Sequence, residues 1–317
     1  MNANQLRRLL QSTKPVIRVA GAHDATGARL AREAGFEGIW ASGFEISTAH
    51  GVPDAGILTM TEMLSAATTL VESVDLPVIC DCETGFGDTN NVRHMIRKYE
   101  AAGAAAVCIS DAEFPKRNSL ADGEHRLETE RCFCRKISEA KAAQRSPELV
   151  VIARLEAFIA RRELTEALSR AYAYAAAGAD MILVHSKAST PDEVMQFIAN
   201  WDSPVPLVLI PTTYHNLRLE DLSTHGKVRI VIYANQGIRA AIVAMRRVYQ
   251  QMISEGSSHG AEKWIAPLAD VFALQKFYML DGADSRAETP GGVTLPAAGA
   301  ILKSAVPALA PKTLEAQ

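Results

Sequence analysis

The chain is 317 residues long, 48% hydrophobic, with a formal net charge of −3. That length suits one α/β barrel of roughly 250 residues with extensions, and the charge excludes the polycationic surface that nucleic acids require while leaving room for a local anion site. The N-terminus carries no apolar run followed by a small-residue cleavage site, and no stretch reaches the ~18 apolar residues of a membrane span, so a cytoplasmic protein with neither nucleic acid nor membrane as partner is expected.

In chain order, the first strand candidate is "PVIRVAG" at residues 15–21. "LAREAGFEGIWASG" follows, an Ala-rich helix that stops at a glycine and runs straight into a β-branched, apolar strand. The same pattern returns in "YEAAGAAAVCISD" and "YAAAGADMILVHS". Glycine ends a helix cheaply in the left-handed conformation, and the short apolar run after it suits a strand buried on both faces of a parallel sheet. "LPVICDCE" (76–83), "LVVIARLE" (149–156), "PLVLIP" (206–211) and "RIVIYAN" (229–235) bring the strands to eight. Helical patterns such as "TNNVRHMIRKYEAAG" and "IRAAIVAMRRVYQQM" separate them. Eight strands alternating with helices predict a (β/α)8 TIM-type barrel, and the fallback, an open doubly wound sheet, lacks its Gly-x-Gly-x-x-Gly fingerprint. The barrel and its C-terminal helices are expected to fill residues 1–284, and the Pro/Ala/Gly-rich residues 285–317 to form an extended or partly disordered tail. The cysteines, Cys80, Cys82, Cys108, Cys132 and Cys134, are odd in number and lack metal-ligand spacing, so reduced structural thiols are expected.

Chemistry in such barrels gathers where the strands end. Those ends carry Ser42, Gly43 and Phe44; Asp81 and Glu83; Ser110 and Asp111; Arg154 and Glu156; His185; Thr212 and Thr213; and Asn235 and Gln236. Asp81 and Glu83 are one residue apart, so a regular strand would point both side chains to one face. Two carboxylates in one polar site need a counter-charge. A divalent cation, Mg²⁺ or Mn²⁺, supplies it with all-oxygen ligation, and Asp54 is a third candidate carboxylate. The alternative is that Glu83 pairs with a nearby Arg or Lys. Arg154, His185 and Lys116 add cationic and hydrogen-bonding groups, which suggests a small anionic 2-oxo acid bearing a phosphoryl or second carboxyl group.

The stretches "GIWASGFEIS", "GVPDAGIL", "DCETGFGDTNNVRHMIRKYEAAGAAAV", "EFPKRNSL", "VIARLEAFIA", "ILVHSKASTPDE", "PLVLIPTTY" and "VIYANQGIRAA" resemble the phosphoenolpyruvate mutase and phosphonopyruvate hydrolase branch of the isocitrate lyase superfamily. The resemblance runs from about residue 16 to 249. It implies a barrel that binds Mg²⁺ through Asp81, with Asp54 and Glu83 acting through waters. It also implies that the backbone around Ser42, Gly43 and Phe44 holds a pyruvate carboxylate beside Trp40, and that Thr212 and Asn235 belong to the substrate site. Arg154 and His185 would bind the phosphoryl group, with Lys116, Asn118 and Ser119 closing over it on a loop. The implied reaction splits a C–P bond through pyruvate enolate and a metaphosphate-like species. The Lys-x-Asn-Ser form of the loop, Lys116 to Ser119, is that of the mutases, whereas "GFEIS" and "LVLIPTTY" read closer to the hydrolase. A 2-oxo acid lyase or decarboxylase without the family's loop cysteine is the other alternative. The family's usual Glu-Asp-Lys is Ser110-Asp111-Ala112 here, Glu83 stands where Asp is usual, and Gln236 replaces a common His. The resemblance further implies a homodimer or a homotetramer whose dimers exchange a C-terminal helix.

Overall fold

The three Ala-rich helices end as their sequences require. Gly35, Gly103 and Gly178 sit at φ +86°, +85° and +103°, and each turns the chain into a buried strand within three residues. The computed structural model describes residues 2–277 except Thr224. Its elements are α1 (Asn2–Gln11), β1 (Ile17–Ala22), α2 (Ala25–Glu33), β2 (Gly38–Ala41), α3 (Gly43–Ala49), α4 (Met60–Ser73), β3 (Val78–Asp81), α5 (Thr89–Ala101), β4 (Ala106–Ser110), α6 (Glu130–Ala143), β5 (Val150–Leu155), α7 (Leu164–Ala176), β6 (Met181–Val184), α8 (Asp192–Asn200), β7 (Leu207–Leu209), α9 (Leu219–Ser223), β8 (Val228–Tyr233) and α10 (Gln236–Glu255).

All eight strands are parallel and each pairs with the next, while β8 pairs back onto β1 to close the barrel. Strand residues alternate between two cores. Ile17, Val19, Ile79, Val150, Ile152, Met181, Leu183, Val208, Ile230 and Ile232 fill the inside of the barrel. Val78, Cys80, Val151, Ala153, Ile182 and Val184 instead face the helices.

The N-terminal arm is a helix. Leu6 of α1 is fully buried within the inner cluster, flanked by Leu9 and Leu10. Arg229 Nη2 donates to the Leu9, Leu10 and Ser12 carbonyls, and Arg7 Nη2 pairs with Asp180 at 2.9 Å. This helix therefore packs at the end where the strands begin. The site is left at the other end.

A compact unit ends at Trp264, after a short 3-10 turn at His259–Trp264. A second unit begins at Ile265 and holds α11 (Leu268–Gln275). The tail expected over 285–317 and the preceding residues 278–284 lie outside the described residues. Among the described residues no helix is long and apolar enough to cross a membrane, and all five cysteines are free thiols.

Candidate active site

The inward-facing stripe of each strand continues past the apolar layer into a polar rim. Val150 and Ile152 are followed two residues on by Arg154; Ile79 by Asp81; Leu183 by His185; Ile210 by Thr212; and Trp40 by Ser42. The alternation that fills the barrel thus aims these groups at its mouth. They line a cavity of ≈ 680 Å³ together with Phe44, Asp54, Asn118, Ser119 and Asn235.

One wall is a tight ionic knot. Arg154 pairs through Nε with Glu156, its Nη2 donates to Ser119 Oγ at 2.8 Å, and Ser119 Oγ donates to Glu156 Oε1 at 2.9 Å. His185 Nδ1 lies 3.0 Å from the same Nη2. Burial pushes the His185 pKa below its ordinary value and the adjacent guanidinium adds to this, outweighing Glu156. The ring is therefore neutral near pH 7, with its Nδ1 facing both the Arg154 guanidinium at 3.0 Å and the Glu156 carboxylate at 3.3 Å. Burial alone would raise the Glu156 carboxyl, but Arg154 and His185 overcome it and hold Glu156 well below the usual carboxylate range. Glu156 was visible in the sequence as a strand end. Its part in the site was missed, because it acts on the other three residues rather than on the cavity.

Opposite stand the carboxylates. The expectation that Asp81 and Glu83 share one face of a strand is corrected in its reason. β3 ends at Asp81, and Glu83 adopts φ +54°, a left-handed turn in which Asp81 Oδ1 accepts the Glu83 amide at 3.1 Å. The two still converge, against Gly43: a Cβ there would lie 2.6 Å from Glu83 Oε1 and 3.1 Å from Asp81 Oδ2. Their counter-charge in this structure is Lys116, 4% exposed, with Nζ 3.0 Å from Glu83 Oε2 and 3.7 Å from Asp81 Oδ2. The Lys pairing weighed as the alternative to a cation is thus present. Burial works against the ammonium, yet Asp81, Glu83 and Asp54 together hold the Lys116 pKa above the ordinary lysine value. Burial raises the Glu83 pKa to about 7, against the pull of Lys116 and with help from Asp81 and Asp54.

The third carboxylate, Asp54, is joined to the loop. Asn118 Nδ2 donates to Asp54 Oδ2 at 2.6 Å and the Asn118 amide donates to the Asp54 carbonyl at 2.9 Å, while Asp54 Oδ1 is buried with no partner. Every expected site residue therefore belongs to this rim. Gly43, Glu83 and Lys116 do not line this cavity, and Lys116 lines a neighbouring one of ≈ 250 Å³ with Ser110, Ser119 and Glu156. Arg117 and Arg239, which were not anticipated, also line the cavity.

The donor set suits a hard divalent cation. Asp54, Asp81 and Glu83 bring three carboxylates together, and Lys116 is the ammonium paired with two of them. All the candidate ligands are oxygens, and one of them is orphaned. As placed, no three His, Cys, Asp or Glu side chains among the described residues converge on one ion position; the ammonium of Lys116 stands with Asp81 and Glu83 instead.

With this geometry in hand, residues 6–253 match the family model for phosphoenolpyruvate phosphomutase. The chain belongs to this family. It is 42% identical over 276 residues to the phosphonopyruvate hydrolase of Variovorax sp. (strain Pal2), covering 87% of this chain and 95% of that one. The crystal structure of a phosphoenolpyruvate phosphomutase from Streptomyces platensis subsp. rosaceus superposes with a TM-score of 0.87 at 48% identity, covering 89% of this chain and 98% of that one. A phosphonopyruvate hydrolase solved in complex with oxalate and Mg²⁺ superposes with a TM-score of 0.84 at 39% identity, covering 90% and 99%.

Proposed function

We propose that the protein is a Mg²⁺-dependent C–P bond enzyme that interconverts phosphonopyruvate and phosphoenolpyruvate. The observation that carries this reading is that one cavity holds two sets of groups: the carboxylates Asp54 and Asp81, with Glu83 behind them, and the cluster of Arg154, Ser119 and His185, which Arg154 Nη1 joins to Asp81 at 3.7 Å. A substrate with a 2-oxo acid at one end and a phosphonate at the other matches both.

Asp81, Asp54 and Glu83 would hold the cation, which supplies fixed positive charge beside the oxygens of the 2-oxo acid. The first turn of α3 offers the backbone amides of Gly43 and Phe44 to the substrate carboxylate, with Ser42 as the N-cap and Trp40, 2% exposed, beside them. At the other end, Arg154 and His185 bind the phosphonate oxygens, and Asn118 and Ser119 enclose them from the loop. Thr212 and Asn235 complete the wall. When the C–P bond breaks, its electron pair stays on carbon and gives pyruvate enolate, and the phosphoryl group departs as a metaphosphate-like species that the Arg154 cluster stabilises. Attack by the enolate oxygen gives phosphoenolpyruvate.

Hydrolysis is the second reading, because a hydrolase and a mutase resemble this chain to nearly the same degree. Water then captures the phosphoryl group, and the enolate takes a proton to become pyruvate. Lyase chemistry that needs a cysteine is less favoured, since no cysteine is among the described residues that line the cavity. Val243, Tyr249 and Ile253 leave 67%, 60% and 86% of their surface exposed on α10, which supports a homo-oligomer in solution.

The test is ³¹P NMR of the purified protein with Mg²⁺ and phosphonopyruvate. A phosphoenolpyruvate signal is the expected result, inorganic phosphate would establish the hydrolase, and an unchanged spectrum would sink both readings.

A further inference from the structure

Lys116, Asn118 and Ser119 lie within four residues of one loop, yet they serve both ends of the cavity. Lys116 neutralises Asp81 and Glu83, Asn118 holds Asp54 by side chain and backbone, and Ser119 joins Arg154 and Glu156. Every carboxylate that would bind the cation is therefore already engaged by this loop.

We propose that Lys116 is a tethered stand-in for the divalent cation: in the metal-free protein its ammonium occupies the charge position between Asp81 and Glu83, latching the loop shut until the cation displaces it. This rests on the reading above that these carboxylates form the metal site. Two buried carboxylates left without a counter-charge would be costly, so the free protein needs some positive charge there. A doubly charged ion and an ammonium cannot share the same two carboxylates at contact distance without strong repulsion. The Asn118 amide likewise takes one oxygen of Asp54 in the latched state and leaves the other without a partner.

The arrangement fixes an order of events. The cation binds first and expels Lys116, which frees the loop. The 2-oxo acid end of the substrate then docks beside the cation. Its anionic far end next offers Lys116 and Asn118 new partners, and the loop closes a second time on substrate rather than on carboxylates. Binding of cation and latching of the loop oppose each other until substrate arrives.

The experiment is equilibrium Mn²⁺ binding to the full chain, followed by the electron paramagnetic resonance of the free ion, for the natural protein and for Lys116→Met and Lys116→Arg. Removing the charge while keeping the chain length is expected to tighten Mn²⁺ about tenfold or more, the scale on which groups around a metal alter its affinity. Lys116→Arg should stay near the natural value. Unchanged or weaker binding by a folded Lys116→Met protein would overturn the latch and leave the metal site standing. Absence of Mn²⁺ binding in all three would overturn both. A second arm needs no variant: trypsin cleaves after Lys116 and Arg117, and the rate of that cut in the natural protein should rise when Mn²⁺ is added alone and fall again when oxalate is added with it. A cut that Mn²⁺ alone slows would overturn the proposal.

Discussion

Replacing Glu156 by Gln tests whether the Arg154 cluster is held together by one buried charge. Glu156 is 2% exposed, accepts from Ser119 Oγ at 2.9 Å, approaches His185 Nδ1 at 3.3 Å and pairs with Arg154. Without its charge, Arg154 keeps only Asp81, at 3.7 Å, as a counter-ion. Breaking a buried ion pair by removing one partner costs about 3–5 kcal/mol, and the amide recovers about 1 kcal/mol by keeping a neutral acceptor. The net loss expected is about 2–4 kcal/mol, or a fall in Tm of roughly 4–16 °C at about 2–4 °C per kcal/mol for a domain of this size. Catalysis should fall further than stability suggests, because Arg154, Ser119 and His185 all lose their common anchor. A displacement of about 1 Å in a positioning group costs on the order of 100-fold, so kcat/KM for phosphonopyruvate should drop by about that factor. Thermal unfolding by circular dichroism and initial rates at several substrate concentrations measure both quantities. If stability moves no more than for an ordinary surface change, about 0.5 kcal/mol, and kcat/KM stays within a factor of about two, the anchoring argument is wrong.

Asn118→Thr shortens the loop's amide to a hydroxyl and opens space beside the phosphoryl group, so the ratio of phosphate to phosphoenolpyruvate in ³¹P spectra should rise; an unchanged ratio would remove Asn118 as the group that excludes water. Gly43→Ala places a methyl 2.6 Å from Glu83 Oε1 and 3.1 Å from Asp81 Oδ2. Because those neighbours are side chains, the variant should fold normally but bind Mn²⁺ about 10–100-fold more weakly by titration. In Gly21→Ala the new methyl meets the Ala234 carbonyl oxygen at 2.2 Å across the β1–β8 seam, where backbone cannot give way; a loss of about 3 kcal/mol or more in urea unfolding is expected. His23 has its pKa raised above 6.5 chiefly by its hydrogen bond to the buried Glu45. A group with a raised folded pKa contributes stability that is fully present below its unfolded value and is lost as pH climbs through the folded one. The Tm advantage of the natural protein over His23→Gln should therefore be larger below pH 6.5 than well above it, and a pH-independent difference would refute the ion pair.

Much of the fold could be read directly because one device recurs. A helix stops at a left-handed glycine and a strand with both faces buried begins at once, so Gly35, Gly103 and Gly178 mark three strand starts without reference to any partner. The same regularity made the rim legible: two-residue alternation carries Val150 and Ile152 on to Arg154, and Met181 and Leu183 on to His185. It misled only where the regular strand had already stopped. Glu83 reaches Asp81 through a positive-φ turn, which no periodicity encodes. Helix α1 lies outside the stretches that carry the resemblance, and what fixes it is its cover over the barrel floor, a contact some 220 residues away in sequence at Arg229.

What no local pattern could reveal is the state of the 116–119 loop. Its neighbours come from β3, from the segment carrying Asp54 and from β5, so its contacts depend on closure of the whole barrel. The resemblance implies Glu and Lys at the positions of Ser110 and Ala112, while Asp54, Asp81 and Glu83 are all contacted by the loop. A chain that kept these three carboxylates while losing Ser119 or Glu156 should bind Mn²⁺ and fail at the phosphoryl end, and the two ends can be separated by measuring Mn²⁺ affinity and kcat/KM on the same variant.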